Sequence, residues 1–465
     1  MTRIVSGAAR LHNRDLHRGE IQDRDASTSD GHAAPWLSRP LSTPACILGW
    51  LVASASFLAI TVLAGGIASG DASQSVYAAW ALAHGHMGCG YPAAGVPGYA
   101  PVAPGYVLLS GALVAMLGIG HGVAFPALSA GGAPCGAAVQ AMNQWSLHTL
   151  SLAPTLRIGY LGWLVLMAGV VALLRTSGRG RCTWEPTTLV IVACLPPVAM
   201  CLVEFFHPQD LVAMGLALAA LASVRRENWM AAGLLLGSAI MSQQFTLLVA
   251  VPLLVLAPRT QRIKFTSSIV ASVGLIAIPV LALTSGRGIT SILIGPGGIA
   301  GMSLAVLTGA HGSLLLVLSR IVPLCLAAIL AAWAGSRLGA NAFDPVPLTA
   351  IVALCLSLRL VFEISVWGYY FMAIAVMLVV LAAMRGRIGV PLMIWLSMLS
   401  LIAFGGGLSE TDAFGVLPVW LCQLILVAGA FGLAGRPLLE ALSETSTDQI
   451  SIGSDTPGVR NPCVA

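Results

Sequence analysis

Cys46–Ala68, CILGWLVASASFLAITVLAGGIA, carries no charged side chain, and neither does Val390–Leu408, VPLMIWLSMLSLIAFGGGL. At ~1.5 Å of rise per residue, either is long enough as a helix to cross the ~30 Å of a bilayer's hydrocarbon core. The rest of the chain is similar: 57% of its residues are apolar and only 9% charged, roughly a third of the ~25% usual in soluble domains. Mean hydropathy is +0.89. Too few charges are present to build a water-soluble surface, so the chain reads as an all-α polytopic membrane protein with the bilayer as its solvent and membrane lipid as its constant partner. The net charge of +5 gives no argument for nucleic acid, because the basic residues sit in short clusters between apolar runs, where they orient the spans.

Those clusters fix the expected topology. Lys and Arg near span ends stay cytoplasmic, and they fall at Arg175/Arg179/Arg181, Arg225/Arg226, Arg259/Arg262/Lys264, Arg337 and Arg385/Arg387. A hydrophobic hairpin lies between each pair. Spans are expected near 46–68, 157–174, 187–205, 211–224, 229–242, 245–257, 266–284, 313–335, 347–362, 368–384, 389–405 and 418–434. This gives about twelve crossings with both termini cytoplasmic. Pro104–Gly120 would break the parity as a further span, so it is expected to lie on the membrane surface or re-enter it. Residues 1–43 form a polar arm expected to be disordered and cytoplasmic, 44–435 the membrane domain with 70–156 as its first external loop, and 436–465 a cytoplasmic tail.

Topology decides which polar residues face outward. Asp71 is the only charged residue between Gly70 and Leu156 and directly follows the first span. With no basic neighbour in sequence, its carboxylate is either solvated, as a helix-end residue, or positioned to take a proton or bind a cation. Behind it come a short helical stretch with Tyr77 and Trp80, then a Gly/Pro-rich region containing Tyr99 and Tyr106. Such a loop could grip a sugar or a lipid headgroup, or simply connect.

A second cluster, Glu204, His207 and Asp210, sits on a Pro-broken turn, with Gln243 and Gln244 at the next external turn. Ionisable groups at a membrane boundary cost desolvation and are functional candidates, whereas external turns also need polar residues merely to reach water. Ser242 and the two glutamines serve equally well as glue between helices. The third cluster is Arg359, Glu363, Trp367, Tyr369 and Tyr370. The i, i+4 spacing of Arg359 and Glu363 suits an internal ion pair. Arg320 lies inside an apolar run, where phosphate would be a natural partner for its fork of donors. Arg157 and Arg287 are further external candidates, with snorkelling as the competing account.

Ten cysteines are scattered without zinc-ligand spacing, and no metal site is expected from them. Cys89 and Cys135 both fall in the first external loop, where a disulfide between them is an open alternative.

Taken together, these residues resemble the membrane glycosyltransferases of superfamily C (GT-C). The likeness is carried by an acid after the first span, the short helix with Tyr77, the Tyr91-Pro92 region, Ala-Pro-Gly-Tyr-Val-Leu-Leu at 103–109 and Arg157 opening the second span. His-Pro-Gln-Asp at 207–210, Ser-Gln-Gln-Phe at 242–245 and Arg-Leu-Val-Phe-Glu…Tyr-Tyr-Phe at 359–371 resemble actinobacterial members near the polyprenyl-phosphate-mannose-dependent branch.

The resemblance implies a GT-C-like fold with surface-lying helices in the first loop, Asp71 as catalytic base, and a polyprenyl-phosphate-linked sugar as donor. The acceptor would be a glycan, lipid or protein hydroxyl at the outer face of the cell membrane. Arg320, Arg359, His207 and Arg157 would face the donor phosphate. Tyr77, Tyr99, Tyr106, Glu204, Asp210, Gln243, Gln244, Glu363, Tyr369 and Tyr370 would line the substrate cavity. The sequence departs from that pattern in having one Asp where many members show two acids, and Val102-Ala103-Pro104 where a Pro-Pro pair is common. A divalent cation is therefore left open, since one carboxylate makes a poor cation site. Two readings of other classes stand beside the enzyme: a transporter or flippase for a polyprenyl-linked glycan or another amphiphile, and a non-catalytic GT-C-like assembly partner.

Overall fold

The computed structural model describes residues 43–63, 82, 105–109, 111, 152–177, 184–202, 206–284, 314, 317–363, 368–386, 388–404, 412–413 and 417–454. The chain divides into Met1–Pro40 and Leu41–Ala465, and the described residues belong to the second unit. The described residues of the expected spans are largely helical. They form α1 (Thr43–Leu63), α2 (Leu152–Leu174), α3 (Trp184–Ala193), α4 (Pro196–Leu202), α5 (Pro208–Arg225), α6 (Trp229–Ser242) and α7 (Leu247–Leu256), followed by α8 (Arg259–Thr284), α9 (Val322–Leu338), α10 (Pro345–Phe362), α11 (Met372–Met384), α12 (Val390–Phe404) and α13 (Val419–Ser454). A two-residue antiparallel pairing, Asp412–Ala413 with Leu417–Pro418, precedes α13.

Among the described residues, five helical stretches are long and apolar enough to cross a membrane: Gly159–Ser177, Arg259–Ala282, Val317–Phe343, Pro345–Phe362 and Leu421–Thr445. A sixth is added if α3 and α4 count as one span bent by 53°. The bend follows from Pro196-Pro197, whose missing amide hydrogens interrupt the i→i−4 ladder.

Two element boundaries differ from expectation. Helix α8 opens at Arg259, so its three basic residues belong to the helix. Arg262 reaches back to donate to the carbonyls of Val255 and Ala257, both at 2.9 Å, and so satisfies the exposed end of α7. Helix α13 continues past Ala434 to Ser454, well into the stretch read as a cytoplasmic tail. Two features extend it: buried Leu438, and Glu440, which pairs with both Arg385 and Arg436.

Helices α5, α10 and α11 are apolar on nearly every side and are buried, as all-round hydrophobicity requires of a central helix. Around them, α1, α8 and α12 turn large apolar side chains outward, with Ile263 79% and Leu275 78% exposed. Outward Ile and Leu at that density suit a hydrocarbon solvent.

Close packing depends on missing side chains. Helices α2 and α5 run parallel and meet at Gly169 and Gly215, where a Cβ on Gly169 would lie 2.2 Å from the Gly215 carbonyl oxygen. Helices α6 and α8 cross at Gly233 and Gly237, a small-x-x-x-small spacing that brings Ser238 Oγ to 2.9 Å from Ser272 Oγ.

The helices alternate in direction, which sorts the charges. One end of the bundle collects Arg175 with Glu185 at 3.0 Å, Arg225 with the Phe343 carbonyl and Asp344, and Glu440 with Arg385 and Arg436. At that basic end α5 and α11 finish, while α6, α8 and α10 begin. The opposite end collects the second and third polar clusters. Helix α1 runs toward this opposite end, because Trp50 packs on Trp163 while Phe57, further along, packs on Tyr160 near the start of α2.

Substituting Gly215→Val should lower the stability of the detergent-purified protein by about 3 kcal/mol, an overpacking cost against rigid backbone. Gly432→Ala, whose Cβ would meet nothing within 4 Å, should leave the thermal midpoint unchanged or slightly raised.

Candidate functional site

The end of the bundle opposite the basic clusters gathers side chains from four separate stretches of sequence. The turn entering α5 begins with Phe206 at φ 51°, a left-handed conformation rare for a bulky residue. Its ring is fully buried, and that packing holds the strained turn in place. His207 follows as the residue before Pro208, the first of α5. Its Nδ1 lies 2.8 Å from Gln209 Nε2, and its ring stacks on Tyr369 at 4.5 Å. Asp210 is buried in the first turn of α5, where the helix dipole favours a negative charge. One of its oxygens accepts a hydrogen bond from Gln243 Nε2.

Gln243 takes an extended backbone at the end of α6, and its side-chain oxygen accepts from the Gln244 amide at 3.1 Å. The following residue, Phe245, presents its ring to Arg359, whose guanidinium carbon sits 5.0 Å from the ring centre. Tyr370 lies on the Arg359 guanidinium as well, at 4.0 Å. A guanidinium in contact with two aromatic faces keeps its charge at less desolvation cost than one facing aliphatic carbon.

Glu363 is the junction of the site. Its side chain is 7% exposed and receives Arg359 Nε at 3.3 Å and Arg320 Nη1 at 3.0 Å. Arg320 belongs to a π-helical turn, Val317–Ile321, immediately before α9. Such turns are rare and often accompany functional positions. The ion pair expected from the i, i+4 spacing of Arg359 and Glu363 is present. Among the described residues the ion-pair partner of Arg320 is Glu363, and the Arg320 side chain remains 37% exposed against 12% for Arg359. Arg320 thus has donors that face outward, while Arg359 is enclosed. Asp210 lies within Coulombic reach of both Arg359 and His207, which joins the second cluster to the third.

Gly105–Leu109 is helical and packs on the end of α6, where a Cβ on Gly105 would lie 2.8 Å from the Met241 carbonyl oxygen. Tyr106 is buried there. Arg157 lies in the second turn of α2. Asp71, Tyr77, Tyr99, Glu204, Trp367, Arg287, Cys89 and Cys135 lie outside the described residues, as does most of Pro104–Gly120.

The structure therefore brings together His207, Asp210, Gln243, Arg320, Arg359, Glu363, Tyr369 and Tyr370. It adds Gln209 and Phe245, which sequence reasoning did not select. The signal for each was its place in a motif that carries the resemblance, His-Pro-Gln-Asp at 207–210 for Gln209 and Ser-Gln-Gln-Phe at 242–245 for Phe245. Among the described residues, no three His, Cys, Asp or Glu side chains gather where they could hold a metal ion. Comparison with protein-family models, with curated proteins and with solved structures finds no match for this chain.

Removing Glu363 should be more damaging than removing Arg320, because it leaves two cations facing each other, one of them enclosed. Glu363→Gln is expected to destabilise the purified protein by about 3–5 kcal/mol, the usual cost of orphaning a buried charge. Arg320→Gln should cost about 1 kcal/mol, and thermal unfolding in detergent separates the two. Arg359→Lys keeps the charge but loses the flat contact with Phe245 and Tyr370, so its thermal midpoint should fall between them.

Proposed function

We propose that this protein is an integral membrane glycosyltransferase of GT-C type, with about twelve crossings and both termini cytoplasmic. It would transfer a sugar from a polyprenyl-phosphate donor to an acceptor hydroxyl at the outer face of the cell membrane, inverting the anomeric centre. The observation that carries the reading is the meeting, at one end of the bundle, of charged and aromatic residues from 206–210, 243–245, 317–321, 359–363 and 368–371. That is also the end toward which α1 runs, and Asp71 follows α1 by a few residues in sequence.

The chemistry suits the parts. A donor anchored in the bilayer by its polyprenol needs no nucleotide-binding domain, and no glycine-rich phosphate loop after a strand occurs in the sequence. The acceptor oxygen attacks the anomeric carbon as Asp71 takes its proton. The bond from that carbon to the phosphate oxygen breaks, and the polyprenyl phosphate departs with the electron pair. Arg320, partly exposed beside Glu363, supplies donors to the growing phosphate charge, and His207 would assist from the same end of the bundle. Arg359 and Glu363 are positioning residues that fix where Arg320 points.

A second reading, transport of a lipid-linked glycan, draws on the 53° break between α3 and α4, since broken helices are common where transporters bind their cargo.

Membranes containing the protein and a panel of radiolabelled polyprenyl-phosphate hexoses and pentoses decide between the two. Transfer of label to an acceptor should occur and should fall by about 10²–10⁴-fold in Asp71→Asn. Full activity in that variant removes Asp71 from the mechanism, and movement of label across liposomes without any transfer establishes the transport reading instead. Arg320→Gln should lower kcat more than it raises KM for the donor, because its donors meet charge that grows as the bond breaks.

A further inference from the structure

At the basic end, far from the site just described, helices α11, α12 and α13 enclose an apolar slot of about 640 Å³. Leu378, Leu392, Trp395, Met398 and Leu433 line it, and Ile394 and Ile425 form an outward rim, 56% and 43% exposed. The slot therefore opens sideways onto the surface that meets hydrocarbon. Arg385 and Arg436 also line it, as does Pro437. Arg385 and Pro437 in turn line a second, polar cavity of about 520 Å³ that holds Asp344, Glu440 and Glu444.

The two cavities form one amphipathic site, with an apolar slot, two guanidinium groups at its mouth and three carboxylates beyond. We propose that this site binds a phospholipid with an amine-bearing headgroup: an acyl chain in the slot, the phosphate at Arg385 and Arg436, and the ammonium toward Asp344, Glu440 and Glu444. Charge complementarity selects the headgroup. An anionic lipid such as phosphatidylglycerol would place the same phosphate at the two arginines but offer only neutral hydroxyls to Glu440 and Glu444, while Asp344 already has Arg225 at 3.7 Å. A zwitterion places one charge against each set. The slot is open in part because Gly432 has no Cβ; one added there would meet nothing within 4 Å.

The site belongs to the leaflet facing the basic end and has no part in sugar transfer, so it stands whether or not the protein is a transferase.

Native mass spectrometry of the full-length detergent-purified protein, titrated with phosphatidylethanolamine or phosphatidylglycerol, tests the assignment. Phosphatidylethanolamine should bind at least about tenfold more tightly than phosphatidylglycerol. Arg436→Gln, which leaves the Arg385–Glu440 pair intact, should weaken phosphatidylethanolamine by about tenfold. Gly432→Leu should abolish the bound lipid while raising the lipid-free thermal midpoint, because leucine is the better helix former; a structural defect could not produce that combination. Equal affinity for the two lipids, or unchanged binding of phosphatidylethanolamine in Gly432→Leu, overturns the proposal.

Discussion

Hydrocarbon cannot hydrogen-bond, and that single property of the solvent decides where this chain may place a charge. Backbone groups at membrane depth must find their partners within the segment, so each apolar run becomes a helix. Ionisable side chains are pushed to the ends of the bundle, where they face water or one another. The two ends differ in character. At one, arginines meet carbonyls and carboxylates on neighbouring helices, and these contacts tie α5, α10, α11 and α13 together. At the other, two arginines close on one glutamate, and aromatic rings cover the enclosed cation.

The Glu363 junction is costly to assemble in a low-dielectric setting, since three ions lose much of their hydration there. Hydrophobic side chains of similar size would pack there with less penalty. Contact with aromatic faces reduces the cost for Arg359, and partial exposure reduces it for Arg320. What the arrangement supplies in return is a guanidinium held at a set place and angle at the edge of the bundle. A mobile surface lysine could offer the same charge but not the same fixed geometry.

Much of the fold was legible because the membrane imposes a simple code. Apolar runs and basic clusters located the helices, and the proline pair at 196–197 marked the broken segment. The ends of α8 and α13 were less legible. Arg259, Arg262 and Lys264 have the composition of a loop, yet they continue a helix because Arg262 satisfies the carbonyls of the helix before it. The polar stretch after Ala434 remains helical because Glu440 is tied down by arginines, one of them on another helix. In the site, the Arg359–Glu363 pair could be read from spacing alone. The bond between Arg320 and Glu363 could not, since it joins distant positions and depends on a π-helical turn that periodicity does not announce. Phe245 and Gln209 were hidden for a similar reason: a residue's value as a ring face or an amide donor depends on what the fold sets beside it.

The crossing of α2 and α5 at paired glycines has a mechanical consequence. With a Gly169 hydrogen facing the Gly215 carbonyl and the reciprocal contact nearby, neither helix can slide by a turn or roll about its axis without driving a β-carbon into backbone oxygen. The pair behaves as a rigid post. Any breathing of the bundle must then be borne elsewhere, by segments whose hydrogen-bond ladders are already interrupted: the joint between α3 and α4, the proline-bearing middle of α7, and the closing turns of α8 around Pro279. His207 and Asp210, at the head of the post, would hold still while the wall opposite them moved.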